Sequence, residues 1–217
     1  MTAHFVNLLE DLRRRSLRMA SLVEDILSES IDAVLHADIG LAQRVIDRDE
    51  EVDDEEVKVE SEVIRLLALY QPVGSDLRML CTTLKVNNDL ERIADCAVNI
   101  AKRTTHVDPS VIGDHADELR DMGSLVRQML RRAVQAYGAG DGQAASFVPD
   151  DDETVDKIYV QVIQHVVDDS AGAAEDLPSH LDLLAIAKNL ERIADHATNI
   201  AEDVIYLSTG EIVRHQN

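Results

Sequence analysis

The amino-acid sequence predicts an all-α protein, a tandem repeat of two three-helix bundles with six long helices. Three observations lead to this fold class. Hydrophobic residues make up 45% of the 217, yet aromatics are only 3% and tryptophan is absent. Such a core is built from Leu, Ile, Val and Ala, which suits helix–helix packing better than a β-sandwich. Apolar residues recur at three- and four-residue spacing, and only four prolines and nine glycines interrupt them. Finally, Leu90–Ala101 and Leu190–Ala201 are identical at ten of twelve positions, 100 residues apart. A fixed internal period implies one supersecondary unit used twice.

The first helix is expected from about Phe5 to His36, with Leu8, Leu12, Leu22, Ile26, Ile31 and Leu35 on one side, and Asp38-Ile39-Gly40 ends it. A second run, Leu41 to Tyr70, carries Val45, Val52, Val59, Val63 and Leu66 and stops at Gln71-Pro72-Val73-Gly74. Ser75 or Asp76 is a candidate cap for the third helix, which runs to about Lys102 with Leu77, Leu80, Leu84, Leu90, Ile93, Ala97 and Ile100 as its seam. His106-Val107-Asp108-Pro109-Ser110 reads as a linker. The pattern then returns. With an offset of 103, Leu22, Val23 and Leu27 match Leu125, Val126 and Leu130, Asp38 matches Asp141, and Asp49, Val52 and Asp53 match Asp152, Val155 and Asp156. Past the next turn the offset falls to 100. The corresponding helices are expected over about His115–Tyr137, Asp150–Asp168 and Leu177–Leu207, with Pro178 tolerable in a first turn. Three amphipathic helices can bury their stripes against one another, so residues 1–107 and 108–217 each read as one bundle.

The formal net charge is −21. Residues 1–108 hold 13 basic and 22 acidic residues, and 109–217 hold 8 and 20, so both halves share the excess. An acidic surface repels phosphate backbones and anionic lipid, which argues against nucleic-acid and membrane binding. It favours cations and basic protein surfaces. Cys81 and Cys96 lie inside helical runs and form no CxxC, as expected of free, mostly buried thiols in a reducing compartment. The opening Met-Thr-Ala-His-Phe-Val-Asn has no basic stretch leading into an apolar one, so no signal peptide is expected, and no apolar run approaches the ~20 residues needed to span a bilayer. A cytoplasmic location follows.

Residues four apart share a helix face, so Glu91 sits beside Asp95 and Glu191 beside Asp195, with Asn99 and Asn199 a turn further on. Two like charges at this spacing repel by roughly 0.2–0.5 kcal/mol. A bound cation would offset that. The preceding helix of each half carries Asp49 with Asp53, or Asp152 with Asp156. Asp49/Asp53 precede Pro72 by about 20 residues and Glu91/Asp95 follow it by about 20, which puts them at one level of an antiparallel hairpin. The second half gives about 16–18 residues on either side of a turn near Gly172–Asp176. Each half can therefore gather four carboxylates across a groove. This is hard, oxygen-rich ligation suited to Mg, Mn, Ca or iron, and zinc is admissible.

In a chain with 42 acidic residues, an acidic i,i+4 pair is most often solvated surface. Two matched pairs repeated in both halves argue the other way. The equally repeated Arg92 and Arg192 could neutralise the carboxylates without metal or bond to a neighbouring helix. His196 is unrepeated, since Cys96 holds the equivalent place, so it stays outside the metal set. Other chemistry is absent: no Glu-x-x-His of di-iron bundles, no P-loop, no nucleophile elbow and no dinucleotide fingerprint occurs. Arg13-Arg14-Arg15 with Arg18 reads as the polar face of helix one, or as a docking spot for an acidic partner.

Leu90-Glu-Arg-Ile-Ala-Asp95 and Leu190-Glu-Arg-Ile-Ala-Asp-His-Ala-Thr-Asn-Ile-Ala-Glu-Asp203 resemble the doubled signature of the PhoU family. Gln71-Pro72-Val73-Gly74-Ser75-Asp76-Leu77-Arg78, the Val204–His215 segment and the His4-Phe5 start are similar to that family as well. The resemblance covers essentially the whole chain. It implies two three-helix bundles, paired as a homodimer, and multinuclear iron or zinc sites on Asp49/Asp53 with Glu91/Asp95 and on Asp152/Asp156 with Glu191/Asp195. It also implies a non-enzymatic negative regulator of phosphate uptake and of the phosphate-starvation response. Such a regulator contacts the phosphate transporter's ATPase subunit and a phosphate-sensing histidine kinase, reaching the inner face of the membrane through them. The chain departs from the family pattern at Ala94 and Ala194, where glycine is frequent, and at Cys96 in place of histidine. The competing readings are a carboxylate-bridged metal enzyme, disfavoured by the missing Glu-x-x-His and the absence of a base or nucleophile, and a purely structural acidic scaffold.

Overall fold

In a computed structural model that describes residues 3–170 and 176–213, the described residues form helices and connections only. Six helices are long: α1 (Ala3–Leu35), α3 (Asp49–Tyr70), α4 (Ser75–Thr104), α6 (Ala116–Ala139), α8 (Pro149–Ser170) and α9 (Leu177–Thr209). Three are short: α2 (Ile39–Asp47), α5 (Pro109–Asp114) and α7 (Gly142–Ala145). The order in the first half, α1-α2-α3-α4, recurs as α6-α7-α8-α9.

The short helices explain residues that the repeat had singled out. Asp38 caps α2 by accepting from Leu41 N at 2.9 Å, and its counterpart Asp141 caps α7 by accepting from Gln143 N and Ala144 N at 3.0 Å. Each cap satisfies an orphan helix-end donor. The preceding residue turns left-handed in both copies, at Ala37 (φ 49°) and Gly140 (φ 66°). Glycine takes that conformation freely, whereas alanine is strained there.

Three expectations need correction. The run Leu41–Tyr70 is not one helix, because Arg48 (φ −92°, ψ 0°) separates α2 from α3. Its guanidinium reaches back to Glu29 on α1 at 2.8 Å, which holds the corner. No side chain caps α4: Ser75 is its first residue, and Gly74 (φ 62°) makes the turn. The second half of the predicted linker is helical, since Asp108 accepts from Ser110 N at 2.8 Å and Pro109 opens α5. The turn placed near Gly172–Asp176 lies outside the described residues, apart from Asp176 at the start of α9.

The most extensive helix contact is between α4 and α9, followed by α6 with α9 and α1 with α4. Helices α4 and α9 run antiparallel. Lys85 Nζ meets Asp203 Oδ1 at 2.9 Å, Asp89 Oδ1 meets His196 Nδ1 at 2.9 Å, and Arg103 Nη1 meets Asp182 Oδ1 at 2.8 Å. Positions rise on one helix as they fall on the other, and Ile93 and Ile193 occupy the middle. Ala94, Ala97 and Ala101 are buried with Ala194, Ala197 and Ala201. Methyl side chains let the helix axes approach closely. Gly123 does the same between α6 and α1, where a Cβ would lie 2.7 Å from Ile31 Cγ2.

One hydrophobic core runs from α1 through α4 and α6 into α9 and is shared by both repeats. A second, smaller core of Phe5, Leu9, Leu12, Val59, Val63, Leu66 and Leu80 closes one end of the first repeat. Burying a side chain of this size contributes about 1.5–3 kcal/mol. Helices α3 and α8 flank this core, α3 against α4 and α8 against α9. Their grooves with α4 and α9 carry the predicted acids.

Candidate functional site

Helix α3 opens with Asp49, Glu50 and Glu51, acids that suit the positive end of a helix dipole. Val52 is buried and aims this face at the core. Asp49, Asp53 and Glu56 therefore flank the contact with α4, where buried Leu90, Ile93, Ala94 and Ala97 hold Glu91 and Asp95 at the groove. Burial pushes the Asp49 carboxyl above its ordinary range; Lys102 opposes this, while Asp53 and Asp95 add to it. Burial also raises Glu91, followed by Asp95, with Arg92 opposing and Glu56 and Asp53 adding. All four predicted residues of the first half thus act on one another across the groove.

Glu56 joins them and was missed from sequence. The available signal was its place three residues after Asp53 on the same face. Asn87, one turn before Glu91, donates to the Glu56 backbone carbonyl at 3.1 Å, and its own buried Oδ1 has no hydrogen-bond partner.

The second groove repeats the arrangement. Asp152 is pushed up to about 6 by burial, then by Asp195, Asp156 and Glu191. Asp195 is raised by burial, Glu191 and Asp156, against Lys188 and His196. Lys188 Nζ donates to Glu191 Oε2 at 2.6 Å and sits 5.4 Å from the centre of the Tyr159 ring. Local cations therefore offset part of the charge in both grooves, with Arg92 and Lys102 in the first and Lys188 in the second. Each groove still holds more carboxylates than cations.

Such a donor set fits a hard divalent ion. The carboxylates are partly desolvated, repel one another and, in the first groove, lie near an orphaned amide oxygen. The grooves are open: among the described residues, the one group of three or more donors whose atoms all lie within 4.8 Å of one another is elsewhere, at His115, Glu118 and His165. Oxygens spaced more widely suit an ion whose shell is completed by water, or bridged ions. An ion here would supply the positive charge that the groove lacks.

His196 has a different task. Its Nδ1 pairs with Asp89 on α4, and Asn199 Nδ2 lies 3.5 Å from the same carboxylate oxygen. The positions equivalent to Asp89 and His196 in the other repeat are Asn189 and Cys96, and Asn189 donates to the Ala185 carbonyl at 2.7 Å. The His/Cys difference thus travels with an Asp/Asn difference, and Asp89, which the sequence reading passed over, explains it. Cys96 is fully buried and its thiol is pushed up to about 11, by burial foremost. Arg192 and Arg92 oppose that shift, which places both repeated arginines near the α4/α9 seam. The basic run of α1 is tied to its own fold: Arg13 donates to the Gly138 carbonyl, Arg14 pairs with Asp11 at 3.0 Å, and Arg15 lies 3.9 Å from Glu55.

A family model for the PhoU domain matches residues 16–104 and 119–204, one match in each repeat. The chain belongs to the PhoU family. It is 36% identical over 208 residues to the phosphate-specific transport system accessory protein PhoU homolog of Pseudomonas aeruginosa, covering 95% of this chain and 86% of that protein. It is 34% identical over 206 residues to the homolog of the same name from Clostridium acetobutylicum, covering 94% of each. The crystal structure of PhoU from Pseudomonas aeruginosa superposes with a TM-score of 0.89 at 35% identity, over 95% of this chain and 100% of that one. The phosphate transport system regulatory protein PhoU from Streptococcus pneumoniae gives 0.89 at 29% identity, over 96% and 99%. The PhoU fold is therefore present along the whole described length.

Proposed function

We propose that this PhoU-family protein is a non-enzymatic, metal-binding regulator that restrains phosphate uptake and the phosphate-starvation response. It does so in the cytoplasm, by docking on the phosphate transporter's ATPase subunit and on a sensor histidine kinase. The observation that carries the reading is the doubled acidic groove, on a chain whose relatives are named as accessory proteins of phosphate-specific transport. Asp49, Asp53, Glu91 and Asp95 hold metal in the first groove, and Asp152, Asp156, Glu191 and Asp195 in the second. Iron or zinc are the ions of choice, and a multinuclear site suits the open spacing.

The docking surfaces lie on the flanking helices. Val57 and Ile64 on α3 are exposed, and so are their equivalents Val160 and Val167 on α8. An apolar pair at heptad spacing, kept exposed in both repeats, offers each half the same contact face. No helix among the described residues is long and apolar enough to cross a membrane, so membrane proximity comes through partners. A phosphate ion meets too much negative charge in the bare grooves, and metal reverses that sign. The test is capture from membranes at high and low phosphate, with wild type and a variant carrying amides at all eight carboxylates. The reading expects wild type to retain the ATPase subunit and the kinase at high phosphate, and the variant to lose them. Retention by neither protein, at either phosphate level, contradicts it.

A further inference from the structure

We propose that the second repeat carries an additional site for a borderline transition ion of the Zn2+ type, built by His115, Glu118 and His165 and separate from the acidic grooves. These residues come from the start of α6 and the last third of α8. Their donor atoms all lie within 4.8 Å of one another. Thirteen residues of helix, about 20 Å, separate His165 from Asp152, so the two centres are distinct.

The decisive residue is His115. It is 2% exposed, and neither Nδ1 nor Nε2 has a hydrogen-bond partner. A buried imidazole with neither nitrogen in a hydrogen bond is rare, because polar groups taken from water are nearly always paired. Asp169 Oδ2 stands 3.4 Å from Nε2, outside hydrogen-bond geometry but close enough to steady a ligating ring. His180, also buried, packs edge-on with ring centres 6.5 Å apart. Glu118 Oε1 meets His165 Nδ1 at 2.8 Å, and His165 is about half exposed, so an ion has a way in.

The repeat sharpens the argument. The equivalents of His115, Glu118, His165, Asp169 and His180 are Leu12, Arg15, Glu62, Leu66 and Leu80. Leu12, Leu66 and Leu80 belong to the small apolar core that closes the first repeat. The second repeat puts two imidazoles and a carboxylate where its sibling packs three leucines. A nitrogen-rich set with one or two carboxylates is the donor chemistry of zinc, and of cobalt or nickel as surrogates. Donors around a tetrahedral ion at ~2.1 Å sit about 3.4 Å apart, so closing the site opens the Glu118–His165 pair slightly and draws any wider pair in by at most about 1.4 Å.

The test is titration of the metal-free full chain with Co2+, read as visible absorption and competed with Zn2+. One equivalent should give the intense band of a four-coordinate ion bearing nitrogen ligands, and zinc should remove it. His165→Ala, at a half-exposed position, should weaken that binding about 100-fold or more, and Glu118→Gln should weaken it as well. His115→Leu, the residue of the sibling repeat, should abolish it; should that variant fail to fold, His165→Ala carries the result. Glu191→Gln, in the acidic groove, should leave the band unchanged. A band that survives His165→Ala, one that follows Glu191→Gln instead, or no saturable band at all overturns the site. Co2+ taken up by the all-oxygen grooves absorbs only weakly, so groove binding adds no intense band and the two kinds of site are read apart.

Discussion

Replacing Asp152 with asparagine should have opposite effects with and without metal. The folded Asp152 carboxyl titrates at about 6 rather than 3.8. It therefore holds a proton more tightly in the folded chain than in the unfolded one. Stability then falls as pH rises from about 4 through 6, and at pH 7 the ionised group is a net cost. At about 1.36 kcal/mol per pH unit, that gap sets a ceiling near 3 kcal/mol. The group is only half withdrawn from water, and solvent screening brings the expected figure to about 1 kcal/mol. Asp152→Asn removes the charge and keeps the shape. Metal-free protein at pH 7 should gain about 1 kcal/mol, or roughly 2–4 °C in Tm for a chain of this length. The gain should fall to about half at pH 5 and vanish only below about pH 4, where the unfolded chain carries the proton as well. With saturating iron or zinc the order should invert, because the variant has lost a charged ligand. A tenfold weaker affinity removes about 1.4 kcal/mol of ligand stabilisation. Thermal melts by circular dichroism at pH 7 and pH 5, each with and without metal, provide the assay. The reasoning is refuted by a lower Tm for the metal-free variant, or by equal metal-induced shifts in both proteins.

Other perturbations probe the scaffold. Cys96 is fully buried with its thiol raised, whereas Cys81 is partly exposed, so a thiol reagent at pH 7 should titrate one group in native protein and two after unfolding. Ala37→Gly should stabilise the chain by up to ~1 kcal/mol, because the position is left-handed and the sibling repeat already has glycine there; a chemical-denaturation midpoint that falls would contradict this. Lys85→Ala takes an ammonium from the buried Asp203 carboxylate at the α4/α9 seam, and denaturant melts should show a loss of about 2 kcal/mol, with smaller loss on substituting the exposed Lys58.

The repeat made most of the fold legible. Leu, Ile and Val spacing located the six long helices, and the matched aspartates at 38 and 141 marked the corners that turned out to be caps. The break at Arg48 was hidden, since no Pro or Gly marks it and the seven-residue spacing from Val45 to Val52 and Val59 runs straight through. The second copy held the clue, because Pro149 falls where the first copy continues with Ile46. The eight groove acids could be placed by counting from the turns, because an antiparallel hairpin fixes their level. The His115 cluster could not. His165 and His115 are 50 residues apart, lie on different helices and have no counterpart in the first repeat. Only the packed structure shows a buried imidazole whose nitrogens make no hydrogen bond. Asp89 was obscured in the same way, since its role depends on His196 across an interface that periodicity alone does not pair.

Anomalous diffraction at the absorption edge of the bound metal, on crystals of untagged protein, decides whether cations occupy both acidic grooves. Peaks within coordination distance of Glu91 and Asp95, and again of Glu191 and Asp195, are the predicted result. Grooves without anomalous signal, in protein crystallised with iron or zinc present, would contradict it.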